Sequence, residues 1–315
     1  MATIQNHYKL LLRMIGPAIF IVILAFFIDF QKLIKTLDVL RADYLVLSLL
    51  VQPFIVGLRS IRWKQILAVF QIHYSVWTCF KYNFVELIAV ALVSAAGALI
   101  KVFYLHEDGV RMIRATLAVV TDKVFDYILP LLFGILSCAV FYFDVDPGAG
   151  LVGLLGVICM VFKPLQLTSI HLFPKIIPGS LRKKSTARKW DFEEHFQQIV
   201  QALDFFAYFL SIIGFLLYFL SVYFLNLGLG ISLSFPEIIF IMAITSLIAA
   251  IPISFLGIGT RDVALITVFA WFGRTPEEAV SLSIALLLLR LAIMLMGSLF
   301  WYLEPPPLSS IKKET

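Results

Sequence analysis

The residues best suited to binding an anion stand close together in the sequence GIGTRD, inside a long apolar segment. Gly257 and Gly259 allow a sharp turn, and Thr260 can cap a helix that is predicted to begin near Arg261. The first turn of a helix offers unpaired N–H groups and a positive dipole end, and the guanidinium adds a full charge. This stretch therefore predicts a site for an anion such as phosphate. Asp262 has two interpretations that stay open: it belongs to the site, or it complements the dipole and pairs with Arg261.

Arg290 is a second candidate, because it stands about half-way along an apolar segment that is long enough to span a membrane. A charged side chain at that depth is costly unless it is paired or faces a polar cavity. We therefore expect Arg290 to lie beside an acidic group or a cavity, and we include it in the predicted substrate site.

Five more charged residues belong to the predicted site. Lys123 and Asp126 stand three positions apart on one predicted helix and can pair with each other. Asp122 shares their face of the helix, which leaves a carboxylate for another partner. Glu86 and Lys101 stand on either side of an interruption in an earlier apolar segment. We predict that this group binds substrate, and the alternative is a purely structural network of ion pairs.

The composition indicates which kind of protein must position these residues. Of 315 residues, 61% are hydrophobic and 14% charged, whereas soluble domains have about 25% charged residues. We predict an all-α polytopic membrane protein with one integral membrane domain over residues 1–315. The net charge of +5 fits basic cytoplasmic loops, so no nucleic acid is expected as a partner. Since the cysteines and histidines show no ligand spacing, neither a metal nor another cofactor is expected.

Eight apolar segments define the predicted topology. Six are predicted to be full spans: about residues 11–28, 43–58, 116–143, 149–162, 204–227 and 278–303. Two more, 79–114 and 236–273, are interrupted at SAAG and at GIGTRD. The basic loops at 59–64 and 163–189 and the basic C-terminus all face the cytoplasm only if both interrupted segments enter and leave on one side. The prediction is six spans plus two re-entrant hairpins, with both termini cytoplasmic.

This topology contains an inverted repeat, with halves at about residues 43–143 and 204–303. A cytoplasmic linker and an interfacial helix, capped by Asp191, are predicted over about residues 163–203. Paired broken segments in oppositely oriented halves indicate a transport site near the middle of the membrane. The alternative is that the glycines and prolines only kink ordinary spans.

Three stretches carry a resemblance to a known family. IPISFLGIGTRDVAL followed by FGRTPEEAVSLSIALLLLRL resembles the signature of the lysylphosphatidylglycerol synthase transmembrane, or flippase-like, family. LRSIRWKQIL is similar to its Arg-Trp stretch, and VVTDKVFDYILPLLFG to its Glu-Arg-x-x-Asp helix. The resemblance extends over nearly the whole chain. This sequence departs from the family pattern at Asp262, at Asp122-Lys123 and at Ala98, which follows Gly97 where the family has an acid.

The resemblance implies a function in moving lipids between leaflets. The expected substrate is an anionic or aminoacylated phospholipid or a polyprenyl-phosphate lipid, the expected location is a prokaryotic plasma membrane, and no enzymatic activity is expected. Arg261, Arg290 and Lys101 would attract the phosphate, and Asp122, Asp126 and Asp262 would hold those cations in the empty site. Secondary transport of a small anion and enzymatic lipid modification remain alternatives. Self-association into a homo-oligomer is left open.

Overall fold

The computed structural model of the chain describes residues 30–143, 198–249 and 260–305, and its regular elements there are helical. Within these ranges, four helices are long and apolar enough to cross a membrane, as is typical of an integral membrane protein. They correspond to four of the six predicted spans. The other two, at 11–28 and 149–162, lie outside the described residues, as do the basic linker and the predicted cap at Asp191.

The first part of the chain contains five α-helices and one 3-10 segment. They are α1 (Phe30–Val39), α2 (Ala42–Val69), α3 (Val76–Val93), the 3-10 segment (Ser94–Leu99), α4 (Ile100–Glu107) and α5 (Met112–Phe143). Helix α2 corrects the prediction that residues 59–64 form a loop. The charges there end the apolar run, but the sequence from Arg59 to Val69 contains no proline or glycine that could end the helix. Arg62, Trp63 and Ile66 are buried on it.

The predicted break in residues 79–114 is confirmed: α3 passes through the 3-10 segment into α4. The tip of this segment lies tightly against α3, since a Cβ at Gly97 would overlap the backbone of Ala89. At the other end, the Tyr74 hydroxyl donates a hydrogen bond to the carboxylate of Asp108. The residue pair joins the chain before α3 to the chain after α4, so the two ends of the broken segment lie together.

Four α-helices form the second part: α6 (Phe205–Gly228), α7 (Phe235–Ala249), α8 (Thr260–Trp271) and α9 (Pro276–Leu303). The predicted interfacial helix is described only from residue 198, where residues 198–202 are helical. It ends before Asp204, whose carboxylate accepts a hydrogen bond from the Phe206 N–H at 2.6 Å and caps α6.

The ends of the second broken segment also lie together. The guanidinium of Arg274, which follows α8, donates a hydrogen bond to the carbonyl of Ser232, which precedes α7. Helix α9 then begins with a capping box between Thr275 and Glu278 and with Pro276 in its first turn. The Pro-Glu-Glu-Ala stretch is therefore the first turn of α9.

The two groups of helices pack in matching ways. Helix α2 packs along α6, α3 packs on α9, and α5 packs on α7. Small residues lie at the last two contacts: Gly297 meets the Phe84 carbonyl, and Gly134 lies opposite Ala243. The helices α2, α3, α4 and α5 correspond in order to α6, α7, α8 and α9. When each helix is exchanged with its counterpart, the α3–α9 contact becomes the α7–α5 contact and the α2–α6 contact is unchanged. This packing leaves a space between the two groups.

Candidate functional site

A cavity of about 360 Å³ lies between the two groups of helices, with walls from α2, α3, α5, α6, α7, α8 and α9. Its apolar lining includes Leu87, Leu286 and Ile293. The charged side chains among its described lining residues are four arginines and one carboxylate: Arg59, Arg62, Arg261, Arg290 and Asp126. The cavity therefore has a strong excess of positive charge, which suits an anion.

Arg261 is the most unusual of these side chains. It lies in the first turn of α8, it is only 8% exposed, and its Nε and Nη2 atoms have no hydrogen-bond partner among the described residues. Buried guanidinium groups normally have their donors satisfied, because an unpaired buried charge is strongly unfavourable. An anion in the cavity would supply the missing acceptors.

Helix α8 is described from Thr260 onward, which agrees with the prediction of a helix near Arg261. The cap by the Thr260 side chain stays a prediction, and Gly257 and Gly259 lie outside the described residues. Asp262 accepts a hydrogen bond from the Ser283 hydroxyl of α9. This bond fixes α8 to α9, and Asp262 does not itself line the cavity.

Arg290 lines the cavity from the middle of α9, as the cost of exposing it to hydrocarbon predicts. Its guanidinium and that of Arg261 repel each other electrostatically. Negative charge that enters between or beside two such like charges reduces their repulsion.

The opposite side of the cavity contains a network of ion pairs around Arg62, which is 2% exposed. Its Nε donates to the Asp122 carboxylate at 2.9 Å, its Nη2 to Asp126 at 3.1 Å, and its Nη1 to the Ser211 hydroxyl at 3.0 Å. The guanidinium carbon also lies 5.1 Å from the centre of the Phe125 ring. Arg62 thus links α2 to α5 and α6.

Asp126 is the carboxylate of this network that lines the cavity. Its Oδ1 is 3.2 Å from Arg59 and 3.1 Å from Arg62, and its Oδ2 is 2.9 Å from Lys123. The predicted pair between Lys123 and Asp126 is confirmed. Arg59 is the most accessible member of this group, with a side chain 36% exposed.

Behind this layer lies Lys101, whose side chain is 1% exposed. Its ammonium group pairs with Glu86 and lies 3.4 Å from Asp122 and 4.6 Å from the centre of the Trp63 ring. Glu86 also pairs with Lys123. The structure therefore brings together all five charged residues that the sequence placed in this group, while of these only Asp126 lines the cavity.

Arg59 and Arg62 are the members of the site that the sequence analysis missed, because they were placed in a cytoplasmic loop. A signal was present in the sequence. The two arginines are three positions apart, beside a tryptophan, in the stretch LRSIRWKQIL that carries part of the family resemblance. Arg62 also provides the partner predicted for Asp122.

Comparison with protein families gives one match that covers nearly the whole chain. The family described as the lysylphosphatidylglycerol synthase TM region matches residues 13–297. No curated protein and no solved structure matches the chain.

Proposed function

This chain belongs to the lysylphosphatidylglycerol synthase transmembrane family, which is membrane-associated and related to lipid handling, and we propose that it is a lipid translocase. In this proposal the phosphate of a lipid headgroup enters the cavity between the two groups of helices, and the headgroup crosses from one leaflet to the other. No chemical step is assigned to the protein, and its location is a prokaryotic plasma membrane.

Arg261 is the observation that carries this proposal. A buried guanidinium that lines a cavity and leaves two of its nitrogen atoms without partners among the described residues is poised to donate to an anion. A phosphate offers several acceptor oxygens and matches the planar fork of arginine. Arg290 adds a second charge from α9.

The size of the cavity supports a headgroup as the ligand. At about 360 Å³, it is near the lower end of the roughly 300–1,000 Å³ typical of small-molecule sites. That space accommodates a phosphate headgroup but not two long acyl chains. The chains would remain in the bilayer, against helix surfaces that expose Leu50, Phe54 and Leu131.

We also propose the topology of six spans and two re-entrant hairpins arranged as an inverted repeat. The hydrogen bonds from Tyr74 to Asp108 and from Arg274 to Ser232 support it, because each keeps the two ends of a broken segment together. The exchangeable packing of the two helix groups supports the repeat. The first hairpin would then open to the cytoplasm, together with both termini, and the second to the outside.

Labelling of single cysteines tests this topology. His73 and Glu107 are exposed at the two ends of the first broken segment, and Ser232 and Glu277 at or near those of the second. In a variant without native cysteines, we expect an impermeant maleimide to label cysteines at 232 and 277 in intact cells. Cysteines at 73 and 107 should react only after permeabilisation. Labelling of 73 and 107 on opposite sides would contradict the hairpin.

The transfer assay for the proposed function uses purified protein in liposomes that contain a phospholipid with a fluorophore on one acyl chain. Dithionite added outside destroys the fluorescence of outer-leaflet lipid only, so the loss of the remaining signal measures transfer. We expect the protein to accelerate that loss relative to protein-free liposomes. The translocase proposal would be refuted if liposomes with folded protein and protein-free liposomes gave equal transfer rates for each phosphate-bearing lipid under an imposed ion gradient.

The small size of the cavity also favours a second candidate, a secondary transporter of a small anion. The same liposomes distinguish the two functions when they are loaded with radiolabelled inorganic phosphate or glycerol 3-phosphate. Release of the soluble anion without lipid transfer would favour the second candidate.

A further inference from the structure

The charged side chains of the cavity also restrict the headgroup that it accepts. The only carboxylate among the described lining residues is Asp126, against four arginines. A headgroup that carries an ammonium group, such as an aminoacylated glycerol, would need an acidic partner in this space, because a buried unpaired cation is costly. The question is whether Asp126 can provide it.

Asp126 is already occupied by three cations. Its two oxygen atoms lie within 3.2 Å of nitrogen atoms of Arg59, Arg62 and Lys123. A substrate ammonium group could bind there only by displacing one of them. Displaced Arg62 or Lys123 would keep one carboxylate partner instead of two. Displaced Arg59 would keep none among the described residues. In each case the substrate gains one ion pair and the protein loses one, so the exchange offers no net gain.

The carboxylates behind Asp126 are committed in the same way. Glu86 pairs with Lys101 and Lys123, and Asp122 pairs with Arg62 and Lys101. Among the residues that the structure describes, the network contains three carboxylates and four cations, namely Arg59, Arg62, Lys101 and Lys123. This part of the network therefore has one positive charge in excess, and each of its carboxylates already has a partner.

Arg261 and Arg290 add two positive charges on the other side of the cavity. Negative charge reduces the repulsion between them, whereas an ammonium group would increase it. The acid next to Arg261 in the sequence, Asp262, accepts a hydrogen bond from Ser283 and does not line the cavity.

The geometry points to a substrate whose headgroup has a net negative charge and no ammonium group, such as phosphatidylglycerol or phosphatidate. This inference rests on the proposed function and narrows it. It excludes the aminoacylated lipids that the family resemblance implies, and it ranks zwitterionic lipids below anionic ones.

The closing experiment compares four lipids with the same fluorescent acyl chain in the liposome assay: phosphatidylglycerol, phosphatidate, phosphatidylethanolamine and lysylphosphatidylglycerol. We expect the two anionic lipids to be transferred at least about tenfold faster than the lysylated one, which corresponds to about 1.4 kcal/mol. Phosphatidylethanolamine should also be slower than both anionic lipids. Transfer of the lysylated lipid as fast as phosphatidylglycerol would overturn the inference and leave the translocase function intact.

A binding measurement keeps the inference testable if no lipid is transferred, a result that would refute the translocase function. Thermal unfolding of the detergent-solubilised protein is followed with short-chain forms of phosphatidylglycerol and lysylphosphatidylglycerol and with inorganic phosphate. The anionic lipid should raise the melting temperature and the lysylated lipid should not. Equal stabilisation by both lipids would overturn the inference. Stabilisation by phosphate alone would also overturn it, because the ligand would then be the free anion and not a lipid.

A gain of function gives an independent check with a matched control. Ser246 lines the cavity from α7 and is half-buried. Ser246→Asp adds a second carboxylate to the described lining and lowers its positive charge. It should therefore lower the rate ratio of phosphatidylglycerol to lysylphosphatidylglycerol at least about threefold. Ser246→Asn, which has the same shape without the charge, should keep the wild-type ratio. Equal ratios in the two variants would contradict charge selection.

Discussion

Replacement of Arg261 by glutamine is expected to slow lipid transfer about 10- to 150-fold. A hydrogen bond to a charged group contributes about 1.5–3 kcal/mol, and each 1.4 kcal/mol changes an equilibrium or a rate by a factor of ten. We expect the substitution to lower the transport rate and not the stability. The guanidinium lines the cavity, and its Nε and Nη2 have no partners among the described residues.

The same substitution should leave the melting temperature unchanged or raise it. No hydrogen bond from Nε or Nη2 to a described residue is lost, and the cost of burying an unpaired charge disappears. This combination of lost function and retained stability separates a binding role from a structural one. The measurements are thermal unfolding in detergent and the liposome assay on the same preparation.

Arg111→Gln is the matched control, because Arg111 is exposed and does not line the cavity. It should change neither stability nor transfer by more than a small factor. Wild-type transfer by Arg261→Gln would remove Arg261 from the site. A lower melting temperature with normal transfer per folded protein would assign Arg261 a structural role.

The positions of the helices were largely predictable from the sequence, because apolar composition and interruptions determine them locally. The spans predicted at 116–143 and 278–303 correspond to Met112–Phe143 and Pro276–Leu303, and the break near Gly97 is present. The end of α2 was not predictable from hydropathy, because the apolar run stops at Arg59 although the helix continues to Val69. A hydropathy scale counts each charged side chain as unfavourable in the membrane. It takes no account of a partner that neutralises the charge in the folded protein.

The ion pairs also divide into local ones that the sequence predicted and distant ones that it did not. The pair between Lys123 and Asp126 is local, three positions apart on one helix, and the sequence predicted it. Asp122 and Arg62 are 60 positions apart and meet only because α2 packs beside α5. Sequence spacing contains no information on such contacts, so the sequence predicts a partner for Asp122 without identifying it.

The network around Asp122 leads to the second large expected effect, on stability. Asp122 is 4% exposed and accepts from Arg62 at 2.9 Å and from Lys101 at 3.4 Å. Asp122→Asn keeps the shape but leaves the four cations of the network with two carboxylates. Removal of one partner from a buried ion pair costs about 3–5 kcal/mol, so we expect a loss of this size in the free energy of unfolding, measured in mixed micelles of increasing denaturing detergent.

A double-mutant cycle shows whether this cost arises from the contact with Arg62. Arg62→Met alone leaves three cations and three carboxylates, and the double variant leaves three cations and two carboxylates. Asp122→Asn leaves Arg62 without its carboxylate partner on Asp122, and the double variant removes Arg62 as well. The destabilisation of the double variant should therefore be smaller than the sum of the two single effects by about 0.5–3 kcal/mol.

Asp38→Asn, at an exposed position of α1, should have no measurable effect and serves as the control for the charge change. Strictly additive effects would show that Asp122 and Arg62 do not stabilise each other. If Asp122→Asn were as stable as Asp38→Asn while transfer was lost, the network would serve the substrate and not the fold, and Asp122 would belong to the binding site.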